Sequence, residues 1–269
     1  MTAALFRFEL AGARRARVAI LFAAGFAIVG IGVALAGLSA GGVLSVQGFA
    51  RTSMSLLQLV LWVVPMLALL TGAAAGSELR DLEFIAALPI SRGSRVLSRW
   101  AALTATLGGA VALGLGAAGA IIAAMAGSAD GWRYLRLALV SELLLGATLA
   151  VGLLIGVVAA NRTRALGIAM AAWFVLVIGM DLAVIALLSA LPAKGAGSWL
   201  TAVLLANPVD SARVLGLSLF QVDAIAGPTG AALRRVLGGW GAGVLLLGLL
   251  GWTVVPLVVA AKGLRRGQG

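Results

Sequence analysis

A chain of 269 residues with 62% hydrophobic and only 11% charged side chains lies outside the range of water-soluble domains, where roughly a quarter of residues are charged. Its mean hydropathy of +1.12 and the gathering of apolar residues into blocks of about twenty exclude a soluble globule and a disordered chain. The chain reads as an integral membrane protein. The net charge of +11 would suggest nucleic acid in a soluble protein, but here it follows from Lys and Arg collecting at the cytoplasmic ends of membrane spans.

Residues 2–17 mix Leu5, Phe6 and Leu10 with Arg7, Glu9, Arg14, Arg15 and Arg17, the pattern of an amphipathic helix lying on the membrane surface. Uncharged or nearly uncharged runs follow at about 18–38, 55–76, 100–126, 137–160, 166–191 and 238–261. A helix of about 22 residues rises about 33 Å, enough for a hydrocarbon core of about 30 Å. The expectation is an all-α membrane protein with six transmembrane helices, the first retained as an anchor. Short turns are expected at 127–132 and 161–165, and Pro65 and Pro256 are expected to kink their spans.

With the N-terminus inside, thirteen of the 20 basic residues fall on the inner segments and the other seven on the outer ones. That asymmetry favours both termini in the cytoplasm. Two connections exceed a turn: residues 77–99 inside and 192–237 outside. Long connections tend to carry function.

The inner connection holds three of the nine acids, Glu78, Asp81 and Glu83, beside an apolar stripe of Leu82, Phe84, Ile85 and Leu88. Pro89 stops that stripe, and Arg92, Arg95 and Arg99 return toward the membrane. On the residues alone, a short helix that docks in a partner's groove and a solvated loop that anchors topology both remain open. The outer connection reads Asn207-Pro208-Val-Asp210-Ser-Ala-Arg213. Asn before Pro opens a turn, and Asp210 is expected to cap a helix over 211–219. Leu215 and Leu219 would lay its apolar edge on the outer membrane face. A capped re-entry helix and a docking surface for an external partner are compatible readings.

Two acids fall inside spans, Glu142 and Asp181. Intramembrane carboxylates are costly, so a functional role and a structural pairing, with Arg133 or Arg136, are both entertained. Gly72-x-x-x-Gly76, Gly152-x-x-x-Gly156 and Gly239-x-x-x-Gly243 are small-residue faces for close helix packing. Gly114-Leu-Gly116-Ala-Ala-Gly119 has the letters of a dinucleotide loop but sits in an apolar span with no strand before it. Asn161-Arg-Thr163 spells a glycosylation sequon on the cytoplasmic side, where it has no meaning.

No cysteine and no histidine occur, so disulfides are excluded and zinc, iron–sulfur, haem and Cys–His or Ser–His–Asp chemistry lose their usual residues. Met66, Met170 and Met180 are the soft ligands to consider for Cu(I), but single methionines in helices read first as apolar filler. No Gly-Lys-Ser/Thr sequence is present, hence no phosphate-binding loop of its own. The expectation is a non-catalytic chain with no bound cofactor and no metal site.

A surface helix, six spans and an acidic segment running into Leu88-Pro-Ile-Ser-Arg-Gly after span two resemble the ABC-2 class of ABC-transporter permeases. The resemblance implies that Glu78, Asp81, Leu82, Glu83, Phe84, Leu88, Pro89, Arg92 and Arg95 form the region that couples to a cytoplasmic ATPase subunit, which would hold ATP and Mg. That class more often shows Gly-Thr where this chain has Arg80-Asp81. Span five, with Trp173-Phe174 and Asp181-Leu182, and the Asn207-Pro-x-Asp210-x-x-Arg213 segment are similar to the NosY-type permeases of nitrous oxide reductase maturation. That likeness implies a homodimer, two ATPase subunits, and a periplasmic NosD-like protein docking near Asn207, Pro208, Asp210 and Arg213, in copper-site assembly. The alternatives are an ABC-2 exporter of a lipid, drug or polymer, with Trp62, Trp173 and Phe174 lining its cavity, and a self-sufficient channel or secondary transporter.

Overall fold

The computed structural model describes residues 2–15, 17–40, 46–81, 90–126, 128–190, 202–219 and 240–264. Among these residues there are helices, turns and no strand. Helix α1 is Thr2–Arg15, α2 Arg17–Ala40, α3 Val46–Asp81, α4 Arg92–Ala126 and α5 Ser128–Val158. Next, α6, Arg162–Phe174, passes through a π-helical turn, Val175–Gly179, into α7, Met180–Ala190. A helical turn at 202–205 leads to α8, Pro208–Leu219, and α9, Gly241–Gly263, closes the chain.

Among the described residues, five stretches are long and apolar enough to cross a membrane: Met54–Arg80, Arg92–Ala120, Leu135–Val158, Arg162–Ala186 and Gly241–Gly263. A shorter apolar stretch, Ala24–Val33, lies within α2. The all-α membrane architecture expected from composition is therefore present. The helices outrun the apolar runs, however. At 1.5 Å per residue, the 36 residues of α3 reach about 54 Å, well beyond a hydrocarbon core. Arg92 to Arg99, expected in a loop, are the first two turns of α4.

The turn expected at 127–132 is also mostly helix, since α5 begins at Ser128. The turn expected at 161–165 falls earlier, at 159–161. Asn161 caps α6 there, its side chain accepting from the Arg164 N–H at 2.8 Å, so Arg162 already belongs to the helix. Pro65 and Pro256 both lie inside helices that continue past them.

The core is the α3–α5 pair. Gly72 and Gly76 of α3 face Gly152 and Gly156 of α5, backbone against backbone. A Cβ on Gly72 would stand 2.6 Å from the Leu149 carbonyl oxygen, and one on Gly152 2.5 Å from that of Leu69. Small residues at these four positions are what let the helix axes close up. The third small-residue face differs: a Cβ at Gly243 would meet nothing within 4 Å, and Gly239 lies outside the described residues. Around the zipped pair, Leu56, Val60, Val64, Leu115, Leu144, Leu145 and Leu149 form the main apolar cluster, joined by Leu245 and Leu249 of α9. Helix α2 packs on α4, where Gly114 lies against Phe26. Of the dinucleotide-like letters, Gly114 thus serves helix packing.

Helix α8 corrects an expectation. It is not laid on the outer membrane face but inserted into the bundle, packed on α3, α5 and α9. Val209, Ala212 and Leu215 are buried, because the helix has apolar residues on more than one side and covers each.

Candidate functional site

The polar side chains of the described residues concentrate at the two ends of the bundle. At the end carrying α1 and the C-terminal turn of α9, four helices meet. Glu78 lies on the last turn of α3, Arg99 on the second turn of α4, Glu9 on α1, and Arg162 opens α6. Arg99 bridges the two acids, its Nη1 2.5 Å from Glu9 Oε2 and its Nη2 2.5 Å from Glu78 Oε2. Arg162 adds a looser contact with Glu78 at 3.5 Å. Arg80 donates to the Ala159 carbonyl at the end of α5. Glu9 is buried at 6% exposure, although a surface helix would ordinarily turn its acid to water. Its burial clips α1 onto α4.

This junction stands where the segment expected to couple to an ATPase leaves the bundle. Glu78 is inside the network and Asp81 is the last residue of α3. Leu82, Glu83, Phe84, Leu88 and Pro89 lie outside the described residues. Ser91 caps α4, its Oγ accepting from the Ser94 N–H at 3.3 Å. Arg92 opens α4, and Arg95, one turn on, is buried. Sequence reasoning missed Glu9, Arg99 and Arg162. A signal existed for the first: Glu9 is the sole acid before Glu78.

At the opposite end, the Asn207 segment folds into a clamp. Pro208 takes the first helical position of α8, where a missing N–H is harmless. Asn207 caps the helix, its Oδ1 accepting from the Val209 N–H at 3.0 Å. Asp210, expected as the cap, sits three residues further in and accepts from Asn207 Nδ2 at 2.7 Å. The same Asn207 amide donates to the Leu176 carbonyl at 2.8 Å. Leu176 lies in the π-helical turn, whose changed hydrogen-bond register frees a carbonyl for an outside partner. Trp252 of α9 donates to the Leu205 carbonyl at 3.0 Å, and Ser211 Oγ to that of Leu204 at 2.8 Å.

Arg213 completes the clamp. Both its terminal nitrogens meet Asp181 on α7, with Nη2 donating to Oδ2 at 3.1 Å, and Nη1 lies 2.9 Å from Asp210 Oδ1. Of the alternatives for Asp181, a structural ion pair is the one present, made with Arg213 and not with Arg133 or Arg136. Burial raises the Asp210 carboxyl above its ordinary value, with Arg213 and Asn207 pulling the other way. For Arg213, burial opposes the charge, but Asp181 and Asp210 more than offset it and keep the guanidinium protonated.

Three of the four residues expected to dock an external partner, Asn207, Pro208 and Asp210, are buried. Their hydrogen bonds hold α8 against the span behind it. Glu142 is different again. It packs against Gly108 of α4, its Oε1 has no hydrogen-bond partner, and it forms no ion pair among the described residues. A helical separation of six residues points Arg136 away from it. Trp62 and Trp173, candidates for a cavity wall, meet edge to face at 6.3 Å, with the Trp173 indole donating to the Trp62 carbonyl at 3.0 Å. No group of three or more Asp or Glu side chains is arranged for a metal ion among the described residues.

Residues 3–266, nearly the whole chain, match the family described as ABC-2 family transporter protein. The chain belongs to that family. This ABC-2 permease is 30% identical over 271 aligned positions to the Probable ABC transporter permease protein NosY of Stutzerimonas stutzeri, covering 97% of this chain and 96% of the relative. It is 29% identical, with the same coverage, to the protein of that name from Pseudomonas aeruginosa.

Proposed function

We propose that this permease transmits ATP-driven motion across the bacterial inner membrane to a periplasmic partner in copper-site maturation of nitrous oxide reductase. Two copies pair, and each receives an ATPase subunit at the 82–89 segment. ATP and Mg bind to that subunit, not to this chain. The observation that carries the reading is the Glu9–Arg99–Glu78 junction at the roots of that segment. A push on the segment meets α1, α3 and α4 joined by ion pairs, and α3 is zipped to α5. At the far end, α8 and the 176–181 turn present the surface for a NosD-like protein, with Asn207, Asp210 and Arg213 holding that surface in place.

Copper is the cargo of the partner in this reading and does not pass through the spans. Met66, Met170 and Met180 stand on three different helices, α3, α6 and α7, and the chain has neither Cys nor His. Replacing all three with Leu is expected to leave reductase maturation intact; loss of maturation in a normally assembled complex would overturn the idea of mechanical transmission. The direct test is mild-detergent purification from the native host with mass spectrometry of what co-purifies. An ATPase with a periplasmic protein supports the reading. An ATPase alone favours an exporter, for which the exposed Trp62 and Phe174 offer an aromatic surface. Substrate-stimulated ATP hydrolysis without any periplasmic partner would establish the exporter.

A further inference from the structure

Span five changes register at one place, and that place is held from outside the span. Helix α6 ends at Phe174, the π-helical turn takes Val175–Gly179, and α7 resumes at Met180. The Met180 N–H donates to the Val175 carbonyl, five residues back, where an α-helix would use Leu176. Leu176 is passed over, and its carbonyl takes the Asn207 amide at 2.8 Å instead. Asn207 is fully buried, and its Oδ1 meanwhile caps α8 on the Val209 N–H. One side chain therefore fixes both the start of α8 and the position of the wide turn.

Two anchors box that turn. On its α6 side the Trp173 indole donates to the Trp62 carbonyl at 3.0 Å, with the rings edge to face, so α6 is pinned to α3. On its α7 side Arg213 Nη2 donates to Asp181 Oδ2 at 3.1 Å, so α7 is pinned to α8. Between the anchors little packing resists movement. The most apolar stretch of span five is 11% buried within the chain, against 61% for the span Leu135–Val158. Of the described residues 176–180, Val177 is the buried one.

A π turn holds one residue more than the α-helix around it. Moving it along the helix exchanges one passed-over carbonyl for another, so the number of main-chain bonds stays the same. If the turn moves past Asp181, the Met180 N–H returns to Leu176. Residues between the old and new positions then rotate about 100° around the helix axis. Both holds open together: Asn207 loses its acceptor, and Asp181 turns off Arg213. The newly passed-over carbonyl falls near the end of the apolar stretch at Ala186, where water at headgroup level can pair it. We infer that the Val175–Gly179 turn is a sliding joint with two register settings, one locking α8 to span five and the other releasing it. The inference rests on the proposed transmission only for what drives the joint; the two settings belong to this chain.

The test places spin labels on Met180→Cys and Leu113→Cys in the otherwise cysteine-free chain, reconstituted in nanodiscs. Met180 lies in the stretch that rotates; Leu113, 71% exposed on α4, does not. This labelled background is expected to give one principal distance and a minor second one. Asn207→Ser keeps a capping oxygen for α8 but is too short to reach Leu176. It is expected to raise the second population about fivefold, the scale of one lost hydrogen bond. Deletion of Gly179 removes the extra residue without removing a side chain, makes the span a continuous α-helix and is expected to show the principal distance only. An Asn207→Ser distribution equal to that of the background, or a second distance that survives deletion of Gly179, would overturn the inference. Should Asn207→Ser fail to assemble, Asp181→Asn loosens the other hold and is expected to raise the same second distance; an unchanged distribution there overturns the inference equally. No ATPase, partner or copper enters these readouts, so they stand or fall apart from the proposed function.

Discussion

Arg213 holds two carboxylates at once, and the three residues come from segments a sequence reading treats separately. An acid in an apolar span needs a cation, and that much was legible at Asp181. Which cation was not, because Asp181 and Arg213 are 32 positions apart and meet only once α8 folds back into the bundle. Removing Arg213 strands Asp181 and Asp210 together, while removing Asp181 leaves Arg213 its bond to Asp210. Arg213→Ala is therefore expected to cost about 3 kcal/mol, moderated by the partial exposure of Asp181, and Asp181→Asn clearly less. Unfolding midpoints in detergent compare the two, and an Arg213→Ala midpoint at the wild-type value would show that the clamp carries no stability. Glu142 gives the opposite expectation. Among the described residues it has no ion pair to lose, so Glu142→Gln keeps its shape against Gly108, removes a buried charge and holds or raises the midpoint. A marked fall would mean that the carboxylate makes a contact essential to the assembled complex.

The helices show where a sequence is informative. Apolar runs locate the spans because lipid demands them, but helix ends are set by other forces. Residues 92–99 continue their helix because charged side chains can extend beyond the hydrocarbon and find ion pairs there, as Arg99 does with Glu9 and Glu78. Period and composition are silent on that choice. The three small-residue faces look alike in sequence, yet Gly72 and Gly76 interlock with Gly152 and Gly156 while Gly243 faces open space. Partner geometry, absent from a one-dimensional pattern, makes the difference. Gly152→Leu forces a side chain into the backbone of α3 and is expected to cost about 3 kcal/mol or to prevent folding. Gly243→Leu in the single chain is expected within about 0.5 kcal/mol of wild type. Monodispersity after detergent extraction, followed by thermal unfolding, ranks the pair; similar losses at both sites would place a contact on Gly243 that the single chain lacks.

Across the whole molecule, the useful question is whether α1 moves with the bundle or floats on the membrane. An amphipathic helix held only by lipid would drift with the surface. The Glu9–Arg99 contact ties this one to α4, and the Arg99–Glu78 contact ties α4 to α3. The two bonds are unequal: Glu9 is 7% exposed at its side chain and Glu78 43%, so salt screens the second far more than the first. Arg99→Ala leaves Glu9 buried without a cation, and the cheapest relief is to lift α1 off α4 so that the carboxylate reaches water. With no native cysteine, two can be placed without background. Gly12→Cys, on the exposed face of α1, and Ala160→Cys, at the exposed turn before α6, carry spin labels on the two sides of the junction. The wild-type distance distribution is expected to be narrow, to resist high salt and to stay narrow when ATP is added to the assembled complex, because α1 and the bundle end move as one body. In Arg99→Ala it is expected to broaden and shift to longer distance at every salt concentration. A distribution already broad in the wild type, or unchanged by Arg99→Ala, would detach α1 from the path by which an ATPase moves this permease.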